Sequence, residues 1–479
     1  MRAIFSCDNK GAGRVRASRG LLAALGCTVL LAAGCFSEQS FPLREGDVTR
    51  LGAAVEQTPT TTREWLVSVK PQIRRLMPRP ERPILTTEEM LDADGRGIDV
   101  FSAFNRQSHR MDKLLGNWWA IQHTAQSIEI GYFIETPAPL WPDFEHVWIP
   151  VDAGVSLSGY LGLARDESGR PIDADCIVIL PGLWGDNGAK RSRDVSEGLR
   201  RQGFHVLSLE PRGHGQTEAR YPEVMYTYGV VETRDLMRVS EWLQDTYSSI
   251  RRTGLVGFCW GANQALLAAW YDGRDDDDPS VSPRLRAILG PPSPREHFSA
   301  GVIAFSPVLN WEHFLDRMDR PKSMWNDPSP AAFQTSTKEH MARKQFREVT
   351  GSLRLCIAYD FTESAFGRTF PLAEGYTFLR LLPYRGLWDG DKLERARMPV
   401  LVVHSVNDPL QTAPEVVELM AQTSNPNVAG LMLPGGGHIG FQAWSRPLFY
   451  SLMVSFFDPQ TGPAAIRQRS TGSAARSAG

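Results

Sequence analysis

The chain has 479 residues, of which 42% are hydrophobic and 22% charged, with a formal net charge of −2. That is enough apolar material for a large core in an ordinary globular composition. It excludes a nucleic-acid partner, because no basic excess is available to neutralise phosphates. The six cysteines, Cys7, Cys27, Cys35, Cys176, Cys259 and Cys356, are too irregularly spaced for a CxxC-type metal site or the disulfide framework of a small domain.

The N-terminus reads as an address. Lys10, Arg14, Arg16 and Arg19 precede an apolar run over 21–34 that ends in small residues before Cys35. Such a run is shorter than the ~20 residues of a transmembrane helix and matches a secretory signal. Leu31-Ala-Ala-Gly-Cys35 resembles the bacterial lipobox, which implies cleavage after residue 34, lipidation of Cys35 and a lipid-anchored position in the cell envelope. Residues 35–60, rich in Ser, Glu, Gln, Thr and Pro, read as a tether.

Further along, 62–76 and 101–128 carry apolar residues at helical intervals, so 61–144 is expected to be an N-terminal helical extension. Within it, the pair Trp118-Trp119 fits core packing. From Glu145 the pattern changes to strands, with 146–151 and 155–163 joined by a turn at Asp152-Ala-Gly154. The runs 176–180, 205–209, 253–258, 301–305, 400–404 and 430–433 are short, apolar and bounded by turn residues, as strands buried on both faces are. Helices are expected at 190–202, around 231–247 and from about Trp260. Strands alternating with helices indicate an α/β fold, a mostly parallel sheet with helices on both faces, occupying 145–458. The interval 310–397 is too long for a simple crossover. Its aromatic residues, among them Trp311, Trp325, Phe361, Tyr376 and Phe378, suggest a helical cap. A tail at 459–479, rich in Ser, Ala, Gly and Arg, is expected to be disordered.

The chemistry concentrates where strands end. Gly257-Phe-Cys259-Trp-Gly261 lies between a strand and an Ala- and Leu-rich helix. Small residues at both ends allow a sharp turn that projects Cys259 above the sheet, with the helix N-terminus directed at it. Asp408 follows the 400–404 strand, and His438 sits in the Gly-rich loop after the last strand. All three therefore lie past strand C-termini, where open α/β sheets bind ligands. His438 is the candidate base for the thiol, and Asp408 the group that fixes its tautomer. Asn407 lacks the charge for that task. The backbone N–H of Trp260 and that of Leu183, with Trp184 as second choice, are the candidate oxyanion donors. Arg212 and His214, in Glu210-Pro-Arg-Gly-His-Gly-Gln-Thr217, read as loop-ordering residues.

These residues, in the order nucleophile, acid, histidine, resemble the α/β-hydrolase superfamily over 145–458, with Cys where most members have Ser. Gly261-Ala-Asn263 after the nucleophile, and Gly436-Gly-His-Ile-Gly-Phe441, are similar to the YheT-type branch. Pro181 departs from the pattern, standing where a His commonly precedes the oxyanion glycine. The resemblance implies hydrolysis of small-molecule or lipid esters or lactones through an acyl-thioester, without cofactor or metal. Dienelactone hydrolases and polyhydroxyalkanoate synthases also carry Cys at this turn, so acyl transfer by the same residues is an open alternative. A non-catalytic binding lipoprotein on the same fold is the other.

Overall fold

Helices packed against a parallel sheet leave little of its strands to water, so its strands read as unbroken apolar runs. The computed structural model describes residues 39–52, 59–105, 140–275, 286–287, 289–320, 329–363 and 391–465. Cys35, Trp118, Trp119, Trp325, Tyr376, Phe378 and most of the C-terminal tail lie outside the described residues. Nine strands form one sheet: β1 (Leu85–Thr86), β2 (Glu145–Asp152), β3 (Val155–Gly162), β4 (Ala174–Leu180), β5 (His205–Glu210), β6 (Ile250–Phe258), β7 (Gly301–Phe305), β8 (Val400–Ser405) and β9 (Val428–Leu433). Their spatial order is β1-β9-β8-β7-β6-β4-β5-β3-β2. The six strands from β9 across to β5 are parallel, while β1, β2 and β3 pair antiparallel at the two edges. This is the mostly parallel α/β sheet expected from the sequence.

Helix α1 (Thr62–Leu76) starts at Thr61, whose side chain accepts the Glu64 N–H. Its buried stripe of Trp65, Leu66, Val69 and Ile73 packs on β9. The chain then adds β1 beside β9, with Leu85 opposite Met432. The N-terminal extension is thus helical in part but also contributes a strand to the sheet edge. A two-residue strand carries no periodicity to read.

Residues 39–52 are docked on the domain, which corrects the reading of 35–60 as a free tether over its described part. Asp194 accepts the Ser40 hydroxyl at 2.8 Å and the Phe41 N–H, and Gln442 Nε2 donates to Phe41 O at 2.8 Å. Leu43 and Leu51 are buried beneath. Polar composition suggested a spacer, but these polar groups find partners on the domain.

Helices α2 (Lys190–Arg201), α3 (Val230–Thr246) and α4 (Trp260–Gly273) cover the strands. α4 packs on β6 and β7, and every one of its residues is buried, the polar Asn263, Gln264 and Asp272 included. Between β7 and β8 stand α5 (Trp311–Met318), α6 (Ser329–Arg343) and α7 (Leu353–Glu363). After β8 and β9 come α8 (Ala413–Gln422) and α9 (Arg446–Phe456). At the centre Phe258 and Phe305 stack at 5.3 Å, with Phe449 against both. No helix among the described residues is long and apolar enough to cross a membrane.

Ile303 sits in β7 between two parallel neighbours and is fully buried. Ile303→Ala is expected to lower unfolding stability by about 2–5 kcal/mol through lost transfer energy and the cavity left behind. The urea midpoint reads this directly.

Candidate active site

The turn after β6 holds a strained backbone. Cys259 sits at φ 53°, ψ −110°, outside the regions that L-residues occupy freely. Its N–H is held by Phe305 O at 2.9 Å, which ties the turn to the end of β7. The strand and helix approach so closely that a Cβ on Gly257 would collide with the Gly261 carbonyl. One on Gly261 would strike the carbonyls of Leu180 and Pro181. Those two glycines are therefore a steric requirement of the turn. Cys259 is buried, 5% exposed, at the C-terminal end of β6.

Two other strand ends reach the same place. His438 Nδ1 lies 2.9 Å from Asp408 Oδ2, both side chains buried. Cys259 is close enough to the same imidazole to act on its charge. Burial alone would push the His438 pKa down, but Asp408 and then Cys259 outweigh it and raise it to about 10. Burial likewise opposes ionisation of Asp408. The His438 charge, its hydrogen bond, His404 and the Gln411 N–H overcome that and hold the carboxyl at about 2. Asp408 Oδ1 accepts the N–H groups of Leu410 at 2.8 Å and Gln411 at 2.9 Å, so the carboxylate is fixed by its own loop.

The His438 loop is pinned by residues whose part could not be seen in the sequence. Asn407 Oδ1 accepts the Gly437 N–H at 3.1 Å, and Ser405 Oγ donates to Gly437 O at 2.7 Å. Asn263, quoted above only as part of a motif, exchanges two hydrogen bonds with the backbone of Val308, 2.5 Å from its O and 2.7 Å from its N. That pairing clamps α4 to the loop leaving β7, next to Ser306 at φ 48°.

The loop after β4 carries the other sequence-selected residues. Trp184 sits at φ 57°, and its N–H donates to His214 Nε2 at 3.1 Å. His214 Nδ1 faces Arg212 O at 2.7 Å. Burial lowers the His214 pKa to about 4, so the ring is neutral, a donor at Nδ1 and an acceptor at Nε2. Arg212 is held in turn by a two-pronged pair with buried Asp235, at 2.6 and 3.0 Å. The Trp184 N–H is therefore taken up internally, leaving Leu183, at 6% exposure, as the donor candidate on this loop. Trp260 opens α4 directly after Cys259.

Residues 177–449, more than half of the chain, match the family described as "Alpha/beta hydrolase family". The chain belongs to the alpha/beta hydrolase family. Solved structures similar to this hydrolase include the Pyrococcus furiosus esterase Pf2001, at 18% identity over 67% of this chain and 93% of that one, with a TM-score of 0.40. The 2,6-dihydroxy-pseudo-oxynicotine hydrolase matches at 15% identity over 73% and 84%, with a TM-score of 0.43. Est1E from Butyrivibrio proteoclasticus matches at 15% over 66% and 98%, with a TM-score of 0.37. No curated protein matches the hydrolase sequence.

The His438–Asp408 pair fixes a pH window. Asp408, depressed from 3.8, contributes stability present above about pH 4 and lost as pH falls towards 2. His438, raised from 6.5, contributes the same pair's stability fully below about pH 6.5, and loses it as pH rises towards 10. The difference in urea midpoint between wild type and Asp408→Asn is expected to be largest between about pH 4 and 6.5 and to shrink on either side. A difference independent of pH from 4 to 10 would contradict the pairing.

Proposed function

We propose that the protein hydrolyses carboxylic esters, lipid esters or lactones through Cys259, His438 and Asp408. One observation carries this reading: a strained Cys at the elbow after the central strand, with a buried His–Asp pair beside it. The Cys259 proton passes to His438 first, and the sulfur, now anionic beside the cationic imidazole, attacks the ester carbonyl carbon. The oxygen that becomes negative is received by the N–H groups of Trp260 and Leu183, and the N-terminus of α4 favours negative charge at the same point. Collapse breaks the carbon–oxygen bond, and His438 returns its proton to the departing alcohol. Water, deprotonated by His438, then cleaves the thioester, releasing the acid and restoring the thiol. Asp408 orients the imidazole and stabilises its cation throughout.

The motifs around Asn263 and His438 support placement near the YheT-type branch, from whose usual Ser the nucleophile Cys259 departs. The signal-like run before Cys35 supports export and a lipid anchor, which would present the enzyme to ester substrates at the cell envelope.

Hydrolysis of short-chain nitrophenyl esters tests this function. Cys259→Ala and His438→Ala are each expected to lower kcat/KM by about 10⁴-fold or more, without additive loss in the double variant. Wild-type turnover in Cys259→Ala would overturn the assignment. In wild type, iodoacetamide should label Cys259 faster than Cys176, which lies fully buried in β4 and whose thiol burial pushes up.

A further inference from the structure

Away from Cys259, the cap holds a second cluster of metal-ligating side chains. His340 comes from α6, while Cys356 and Asp360, one turn apart, share a face of α7. His340 Nε2 lies 3.1 and 3.2 Å from the two Asp360 oxygens, and Cys356 Sγ lies 3.8 Å from Asp360 Oδ2. One ligand atom from each of the three lies within 4.8 Å of the others. Tyr228 donates its hydroxyl to Asp360 Oδ2 at 2.5 Å. All four side chains are fully buried.

The buried carboxylate of this cluster needs a cation, which His340 supplies only when protonated. A fully buried carboxylate costs several kcal/mol unless it is neutralised, and no Lys or Arg among the described residues pairs with Asp360. Its neighbours are an imidazole, a thiol and a phenol. One divalent ion held by a thiolate, a carboxylate and a neutral imidazole makes the site electrically neutral. Tetrahedral zinc, with ligands at about 2.0–2.3 Å, sets its ligand atoms about 3.3–3.7 Å apart. The His340–Asp360 and Cys356–Asp360 spacings are within a few tenths of an ångström of that, and the third pair lies within 4.8 Å.

The geometry points to a structural binding site for a zinc-like divalent ion, formed by His340, Cys356 and Asp360. Loading breaks the Cys356 S–H bond, whose proton leaves to water, and forms a sulfur–metal bond. His340 gives its Nε2 lone pair with the ring proton on Nδ1, and the metal keeps its oxidation state. Three protein ligands leave a fourth position to be filled, and complete burial keeps substrate away from it, so the ion acts as a staple rather than a catalyst. It would join α6 to α7 beside the proposed site, since His340 stacks on Trp184 at 5.1 Å and Tyr228 packs on Trp260 at 5.3 Å. This inference does not depend on the ester-hydrolase reading.

The test uses the full chain, stripped with chelator and titrated with Co²⁺, then with Zn²⁺. Wild type is expected to bind about one equivalent of Co²⁺ with a thiolate-to-metal charge-transfer band that Zn²⁺ abolishes. Cys356→Ser should lose the band and bind at least about tenfold more weakly, and Asp360→Asn should weaken binding similarly. Zinc-edge X-ray absorption on wild type keeps the test decisive where a variant fails to fold. It should show one sulfur at about 2.3 Å among nitrogen and oxygen ligands. No band in wild type, a band unchanged in Cys356→Ser, or a zinc shell without sulfur would each overturn the site and leave a buried His340–Asp360 ion pair.

Discussion

At the end of β6 the chain reverses into α4 through one residue held in left-handed backbone, and the rest of the site is arranged around that turn. Conformations of this kind cost about 1–3 kcal/mol and persist only where surroundings over-determine them. Here the surroundings are explicit. Cys259 N–H is fixed to Phe305, two glycines remove the side chains that would block the crossing, and parallel neighbours hold β6 on both sides. The strain aims a sulfur out of the sheet, at the tip of a helix and opposite a histidine loop.

Two histidines, one beside this turn and one in the loop after β5, are set to opposite states by their neighbours. His438 faces Asp408 and is held cationic, while His214 meets only backbone on its two nitrogens and is kept neutral by burial. The neutral ring orders Trp184 in the loop after β4, whereas the charged one stands beside Cys259. Environment rather than residue type separates a loop-ordering histidine from one suited to moving protons. The same logic applies to Asp408 and Asp235, both buried: each is matched to a cation, and each fixes a loop at a strand end.

The central strands were legible because burial on both faces writes itself as uninterrupted Val, Ile and Leu, as in Cys176-Ile-Val-Ile-Leu180. The elbow was legible because its geometry demands glycine at two fixed offsets. Other features depend on partners far away in the chain. β1 is two residues whose identity as a strand lies in β9. The 39–52 segment looked like a spacer until Asp194 and Gln442 supplied its hydrogen bonds. Leu183 could be separated from Trp184 only by finding His214 on the latter's N–H. The cluster of His340, Cys356 and Asp360 has no tell-tale spacing, because two helices bring it together. Asn263 stood in a familiar motif, yet its work is a pair of backbone hydrogen bonds 45 residues along the chain.

The central claim is that acyl groups pass through the Cys259 sulfur. Quenching the enzyme in acid during turnover of a slowly deacylated nitrophenyl ester, followed by peptide mass spectrometry, reads this directly. The account predicts an acyl adduct on the peptide containing Cys259, removed by neutral hydroxylamine as a thioester is. Continued turnover with that peptide unmodified at every time point, or with the acyl group on another residue, would contradict it.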